Sequence, residues 1–177
     1  MKRLFIGLNF TPIEKQYFSK IQQQLHPYLE KGQRNEPSNF HVTLQFIGQV
    51  SEESIVTIKE IMASTSFEPV KLVFNHVGYF QKKNRYVVYI GCEEQQQLTQ
   101  LAMQLNNQLA EQNIVEKTNH YVPHLTLARN TLVDVSMLST VSVHYECEVS
   151  EMTLYESTRI NDQLVYLPIY VVNSKEG

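Results

Sequence analysis

Cysteine, basic charge and long apolar runs are all scarce in this 177-residue sequence, and each scarcity excludes something. Cys92 and Cys147 are the only cysteines, far apart and without a Cys-x-x-Cys spacing, so neither a disulfide-stapled secreted domain nor a zinc knuckle fits; both are expected to be reduced and buried. Lys and Arg number 15 against 18 Asp and Glu, a net charge of −3, which argues against a long nucleic-acid footprint built from many phosphate contacts. Any nucleic-acid contact should be confined to one end of a strand. The first apolar run, Leu4-Phe5-Ile6, is broken by Gly7, Asn9 and Thr11 too soon for a signal segment or a membrane span, and a cytoplasmic location is the expectation.

What remains is a chain that is 42% hydrophobic and 19% charged, enough to bury one core. Arg3 to Phe10 reads as a strand. Thr11-Pro12-Ile13-Glu14 then has the form of a helix start, with a capping Thr, a Pro at the first helical position and a Glu completing a capping box. Apolar residues at Tyr17, Phe18, Ile21, Leu25, Tyr28 and Leu29 carry a helical period to about Leu29, before a loop marked by Gly32, Asn35 and Pro37. His41 to Gly48 reads as a strand. A second helix starts at Ser51 and ends near Ser66, with Ile55, Ile58, Ile61 and Met62 on one face.

Strands over Val70–Phe80 and Arg85–Cys92 flank the polar turn Gln81-Lys82-Lys83-Asn84 as a hairpin. A third helix is predicted from about Glu93 to Gln112, burying Leu98, Leu101, Ala102, Leu105 and Leu109 and exposing its glutamines. His124 to Arg129 and the stretches near Val141–Val149, Glu151–Ser157 and Leu164–Val172 complete the strands.

One unit occurs twice. Arg3-Leu-Phe-Ile-Gly-Leu, a helix and His41-Val42-Thr43-Leu44 parallel Arg85-Tyr-Val-Val-Tyr-Ile-Gly, a helix and His124-Leu125-Thr126-Leu127, and the spans from Arg to His differ by one residue. The expectation is a single α+β domain over residues 1–177, bilobal, with repeat units at approximately 3–48 and 85–129. A pseudo-twofold would place two antiparallel sheets around a central cleft, with helices packed outside.

Strand alternation puts each His beside its Thr on one face and the two apolar residues on the other. The apolar face can enter a core while the polar face lines the cleft. A single strand histidine is usually a hydrogen-bonded structural residue, and Thr is common in strands, so the argument rests on the pair. Two opposed imidazoles suit a phosphodiester: opening a 2',3'-cyclic phosphate needs a base for water and an acid for the departing ribose oxygen, on opposite sides of phosphorus. The ordinary histidine pKa of about 6.5 lets one ring be neutral while the other is protonated. Thr hydroxyls can donate to the non-bridging oxygens as their charge grows. No metal or other cofactor enters this scheme.

At this point the sequence resembles the two-histidine phosphoesterases, and within them the bacterial and archaeal RNA 2',3'-cyclic phosphodiesterases once named 2'-5' RNA ligases. The likeness covers Arg3-Leu-Phe-Ile-Gly-Leu, Pro37-Ser-Asn-Phe-His-Val-Thr-Leu-Gln-Phe-Ile-Gly48, Gly78-Tyr-Phe80, Arg85-Tyr-Val-Val-Tyr and Pro123-His-Leu-Thr-Leu-Ala-Arg129. It implies cleavage to a 2'-phosphate, with His41 as proton donor to the leaving 3'-oxygen and His124 as the acceptor that activates water. Thr43 and Thr126 would bind phosphate. Arg129 would add a charged contact, although strict alternation points it away from His124, so a bulge is required. The implied partner is an RNA 3' end or oligonucleotide carrying a cyclic phosphate, met by a monomer without membrane or metal.

Relatives often carry Arg-Trp before the first motif, whereas this chain has Arg34-Asn35 and no Trp, which leaves Tyr79, Phe80 or Tyr121 as candidate stacking surfaces. His120 and His124 have a zinc-like interval, but Pro123 and the strand separate them. His26, His76 and His144 read as structural or surface residues and His120 as a neighbour of the site. Because the motif fixes chemistry and not nucleoside, 2'-5'-linked oligonucleotides and small cyclic phosphates of the ADP-ribose type stay open, as does a non-catalytic module that holds RNA ends.

Overall fold

The structure, a computed structural model, describes residues 1–175. In chain order these form β1 (Lys2–Asn9), α1 (Pro12–Leu25), β2 (Leu29–Glu30), β3 (Gln33–Arg34), β4 (His41–Val50), α2 (Glu52–Ser64), β5 (Val70–Lys82), β6 (Arg85–Cys92), α3 (Gln96–Glu111), β7 (His124–Val133), β8 (Tyr145–Val149), β9 (Glu151–Ile160) and β10 (Gln163–Asn173). All strand pairings among them are antiparallel, along the path β10-β9-β1-β4-β7-β6-β5-β8, with β2 and β3 added to β7.

The mixed α and β content agrees with the expectation. The two sheets do not stand apart, however: β4 and β7 meet through the pair Val42 and Leu125, so one continuous sheet results, narrowest at the two histidine strands.

Local chemistry explains the helix starts. The Thr11 hydroxyl accepts from the Glu14 amide and the Glu14 carboxylate accepts from the Thr11 amide, the reciprocal box expected. The α1 end differs from the sequence reading. Pro27 has no N–H to donate the next helical hydrogen bond, so α1 stops at Leu25 and a 3₁₀ turn, His26–Tyr28, follows, with His26 itself still in helical backbone. Tyr28 and Leu29 still pack against the core from that turn, which is why the apolar period runs past the helix.

The core lies between one face of the sheet and the helices. Leu4, Ile6 and Leu8 of β1, Val42 and Leu44 of β4 and Leu125 and Leu127 of β7 meet Phe18, Ile21 and Leu25 of α1, Ile58 and Met62 of α2 and Leu101, Leu105 and Leu109 of α3. Each such side chain contributes about 1.5–3 kcal/mol by leaving water. The opposite sheet face carries His41, Thr43, His124 and Thr126. The strand expected near Val141–Val149 begins only at Tyr145, because Val141 and Val143, which follow the 3₁₀ turn Val135–Thr140, are buried but unpaired.

Candidate active site

Both imidazoles are held in the same manner. His41 Nδ1 lies 2.8 Å from the Asn39 carbonyl, and His124 Nδ1 lies 2.7 Å from the Val122 carbonyl. A carbonyl can only accept, so Nδ1 carries the proton in each ring and Nε2 is left for chemistry. His41 Nε2 accepts from the Thr43 hydroxyl at 2.8 Å. Among the described residues, neither His124 Nε2 nor the Thr126 hydroxyl has a hydrogen-bond partner; His124 lines a cavity, whereas Thr126 is only 5% exposed.

Aromatic rings wall each imidazole. Phe5 and Tyr166 stand 4.6 and 5.2 Å from His41 between ring centres, and Phe80 and Tyr89 stand 5.0 and 5.2 Å from His124. Gly7 makes room for the first ring: a Cβ there would sit 3.2 Å from His41 Cδ2 and 3.1 Å from the Val42 carbonyl oxygen. Burial lowers the His41 pKa to about 4, and the positive charges of Arg129, His124 and Lys15 act in the same direction against the Asn39 hydrogen bond. His124, half-buried, is also pushed below the ordinary value, by burial first and Arg129 next, against the Val122 hydrogen bond. Both rings are therefore neutral in the free protein at neutral pH, and Arg129 acts on both.

The bulge required for Arg129 is present. Tyr89 pairs with Thr126 and Val88 with Ala128, so Leu127 is an extra residue in β7 and the alternation shifts beyond it. Ala128 turns inward, 1% exposed, and Arg129 emerges into the cavity that also holds His41 and Thr43. The other edge of β7 is tied down by the loop before β4. Gln33 and Arg34 pair with Arg129 and Ala128, the Asn35 side chain donates to the Thr126 carbonyl at 3.0 Å, and buried Gln22 donates to the Leu127 carbonyl at 2.9 Å. Asn35 thus braces the second motif.

Two cavities meet at Thr43 and Phe46. One, about 640 Å³, is lined by residues that include Arg3, Phe5, His41, Thr43, Phe46, Arg129 and Tyr166; the other, about 340 Å³, has His124, Phe80, Met103, His120 and Tyr121. Phe46 is 51% exposed beneath the Arg3 guanidinium at 5.2 Å, an aromatic face open to a ligand that the sequence reading missed. Its exposure follows from a second bulge: Gly7 pairs with Thr43 but Ile6 with Gln45, so Leu44 is extra and Phe46 returns to the cleft face.

Of the aromatics singled out from sequence, Phe80 walls His124, Tyr79 packs edge-on to Tyr86, and Tyr121 donates its hydroxyl to the Thr43 carbonyl at 3.0 Å. That last bond joins the loop before β7 to β4. Asn39 is a further residue without a sequence mark: its side chain donates to the Leu164 carbonyl and accepts from the Tyr166 amide while its own carbonyl holds His41. His26 and His144 are exposed, and His76 lies over Gly91 with Nδ1 against Asn75. Both cysteine thiols are pushed up by burial, to about 11 for Cys92 and about 12 for Cys147, so neither is a ready nucleophile. Among the described residues no helix is long and apolar enough to cross a membrane, and no three His, Cys, Asp or Glu side chains cluster.

Residues 11–161 match the family model of the 2'-5' RNA ligase superfamily. The RNA 2',3'-cyclic phosphodiesterase of Methanocaldococcus jannaschii is 30% identical over 135 residues, 75% of this chain and 73% of that one. Its counterpart from Aquifex aeolicus is 29% identical over 88% of both chains. That from Archaeoglobus fulgidus is 36% identical, over about half of each chain, 53% in both cases. In fold, the chain superposes on the crystal structure of Escherichia coli LigT complexed with 3'-AMP with a TM-score of 0.86, covering 99% of both chains at 24% identity.

Proposed function

The chain belongs to the 2'-5' RNA ligase superfamily, and on that premise we propose that it hydrolyses the 2',3'-cyclic phosphate of an RNA 3' end to a 2'-phosphomonoester, using His41 and His124 and no metal. The observation that carries this reading is the shared anchoring of the two rings, each with Nδ1 on the carbonyl two residues upstream and Nε2 released for proton transfer.

In the reaction His124 Nε2 takes a proton from water as the water oxygen attacks phosphorus. His41 Nε2 gives its proton to the departing 3'-oxygen, in line with the attack. His41 is neutral in the free protein, so the donor acquires its proton in the complex, where the anionic phosphodiester offsets the burial that holds its pKa near 4. Thr43 then releases Nε2 and donates to a non-bridging oxygen. Thr126 and Arg129 serve the same oxygens as charge accumulates. Phe46 offers its face to a base.

The same reading treats the chain as one domain of two related lobes, with repeat units at approximately 3–48 and 85–129. The strand path supports it by its symmetry: β1 and β4 lie inside β9 and β10 as β6 and β7 lie inside β5 and β8, and each inner pair is joined in the chain by a helix, α1 or α3. A monomer working in the cytoplasm completes the proposal.

The test is incubation of an oligoribonucleotide ending in a 2',3'-cyclic phosphate with the protein in excess chelator. Conversion to the 2'-phosphate is expected. No turnover, a 3'-phosphate product or abolition by chelator overturns the proposal.

A further inference from the structure

The two imidazoles hang from carbonyls of unequal support. Asn39, which holds His41, lies in a 3₁₀ turn and fastens its own side chain to Leu164 and Tyr166 of β10. Val122, which holds His124, has an apolar side chain and lies in the segment 115–122, between α3 and β7. The same segment supplies Thr118, His120 and Tyr121 to the cavity on the His124 side. Among the described residues it makes no backbone–backbone hydrogen bond; the nearest on either side are from the Ile114 amide to the Leu109 carbonyl and from the Cys92 amide to the Pro123 carbonyl. Such a segment keeps its place only through side chains.

Asn106 holds it from beneath. This residue is fully buried on the face of α3 that otherwise carries Leu98, Leu101, Ala102, Leu105 and Leu109. Leucine would suit both the helix and that face better, and an amide there costs stability unless its polar atoms are paired. They are paired: Nδ2 donates to the Glu116 carbonyl and to Gln45 Oε1, each at 3.1 Å, and Oδ1 accepts from the Thr118 amide at 2.9 Å. The bonds to Glu116 and Thr118 bracket Lys117 as a neighbouring strand would, so one side chain replaces the missing backbone partner. The bond to Gln45 ties the same segment to β4, two residues beyond Thr43. We propose that Asn106 is a positioning residue for the proton acceptor: it fixes the segment 115–122 and so keeps the Val122 carbonyl on His124 Nδ1. The ring then stays in the tautomer whose Nε2 can take a proton from water, whereas an Nε2–H ring has no lone pair there to receive it. The role rests on the assignment of His124 as acceptor in the proposed reaction.

The experiment substitutes Asn106→Ala and reads both kinetics and tautomers. On a cyclic-phosphate oligonucleotide kcat should fall by about tenfold to a hundredfold, as for a misplaced ring, while KM changes by less than about threefold. Imidazole 1H–15N correlation spectra above neutral pH should show His124 as Nδ1–H alone in the parent and as a mixture of tautomers in the variant, with His41 as Nδ1–H in both. Thr65→Val removes another buried bond to α3, from the Thr65 hydroxyl to Gln108 Oε1 at 2.9 Å, and should leave kcat and both tautomers as they are. Thr118→Pro deletes the bond to Asn106 Oδ1 from the exposed side without emptying the buried site, and should reproduce both effects if Asn106→Ala does not fold. A folded variant of either kind with a single His124 tautomer, or with its loss in KM alone, overturns the positioning role. If the parent does not turn over the cyclic phosphate, the hydrolase reading fails and the spectra still decide the role of Asn106: mixed His124 tautomers in the variant support it, and an unchanged ring overturns it.

Discussion

Replacing His41 by Gln should flatten the dependence of stability on pH. In the folded protein burial holds this imidazole at a pKa of about 4, against an ordinary value of 6.5. Between those values the unfolded chain binds the proton and the folded protein does not, so stability must fall as pH falls through the window. From pH 7.5 to about pH 5 the unfolded state takes up almost a full proton at this position and the folded state about a tenth of one, which amounts to about 2 kcal/mol of lost stability. The Gln variant lacks the titrating ring. It also loses the bonds to Asn39 and Thr43, so its stability at pH 7.5 should drop by about 1–2 kcal/mol, but its further loss on acidification should be smaller than the parent's by that ~2 kcal/mol. Urea unfolding followed by circular dichroism at the two pH values measures both quantities. His124 titrates in both proteins and cancels. Parallel pH dependences in parent and variant would refute a buried, neutral His41.

Other consequences follow from the same geometry. Because the active form needs His41 protonated and His124 neutral, kcat/KM should decline as pH rises through the neutral range, while kcat, measured with the phosphodiester beside His41, should hold to higher pH; coincident basic limbs would contradict this. Phe46→Ala should lower kcat/KM by roughly fivefold to a hundredfold, the equivalent of about 1–3 kcal/mol of base stacking, and an unchanged value would remove Phe46 from the site. Gly7→Ala should push the His41 ring by a few tenths of an ångström and cut kcat by about tenfold with little change in melting temperature; an intact kcat would show that the ring position is not critical.

Local chemistry was legible in the sequence and cross-strand register was not. The capping box at Thr11, the hairpin strand Arg85–Cys92 and the buried face of α3 depend on neighbours a few residues away, and each was found where the pattern put it. The orientation of Arg129 and the exposure of Phe46 depend instead on Leu127 and Leu44, extra residues whose place is set by partners on β6 and β1. Alternation alone leaves both side chains on the wrong face. The bracing of Thr126 by Asn35 and the anchoring of the Asn39 side chain on the Leu164 carbonyl have the same origin, since a polar residue in a loop carries no mark of the distant carbonyl it will meet. At Pro27 the local signal was available, but the apolar period outweighed it.

The most direct measurement of the central claim, that two imidazoles act together on one phosphorus, is a double-mutant cycle in kcat on a cyclic-phosphate oligonucleotide. His41→Ala and His124→Ala should each cost about 10²–10⁴-fold, and the double variant should be little worse than the poorer single one, because donor and acceptor serve one transition state. Full activity in either single variant, or losses that multiply in the double, would contradict the account.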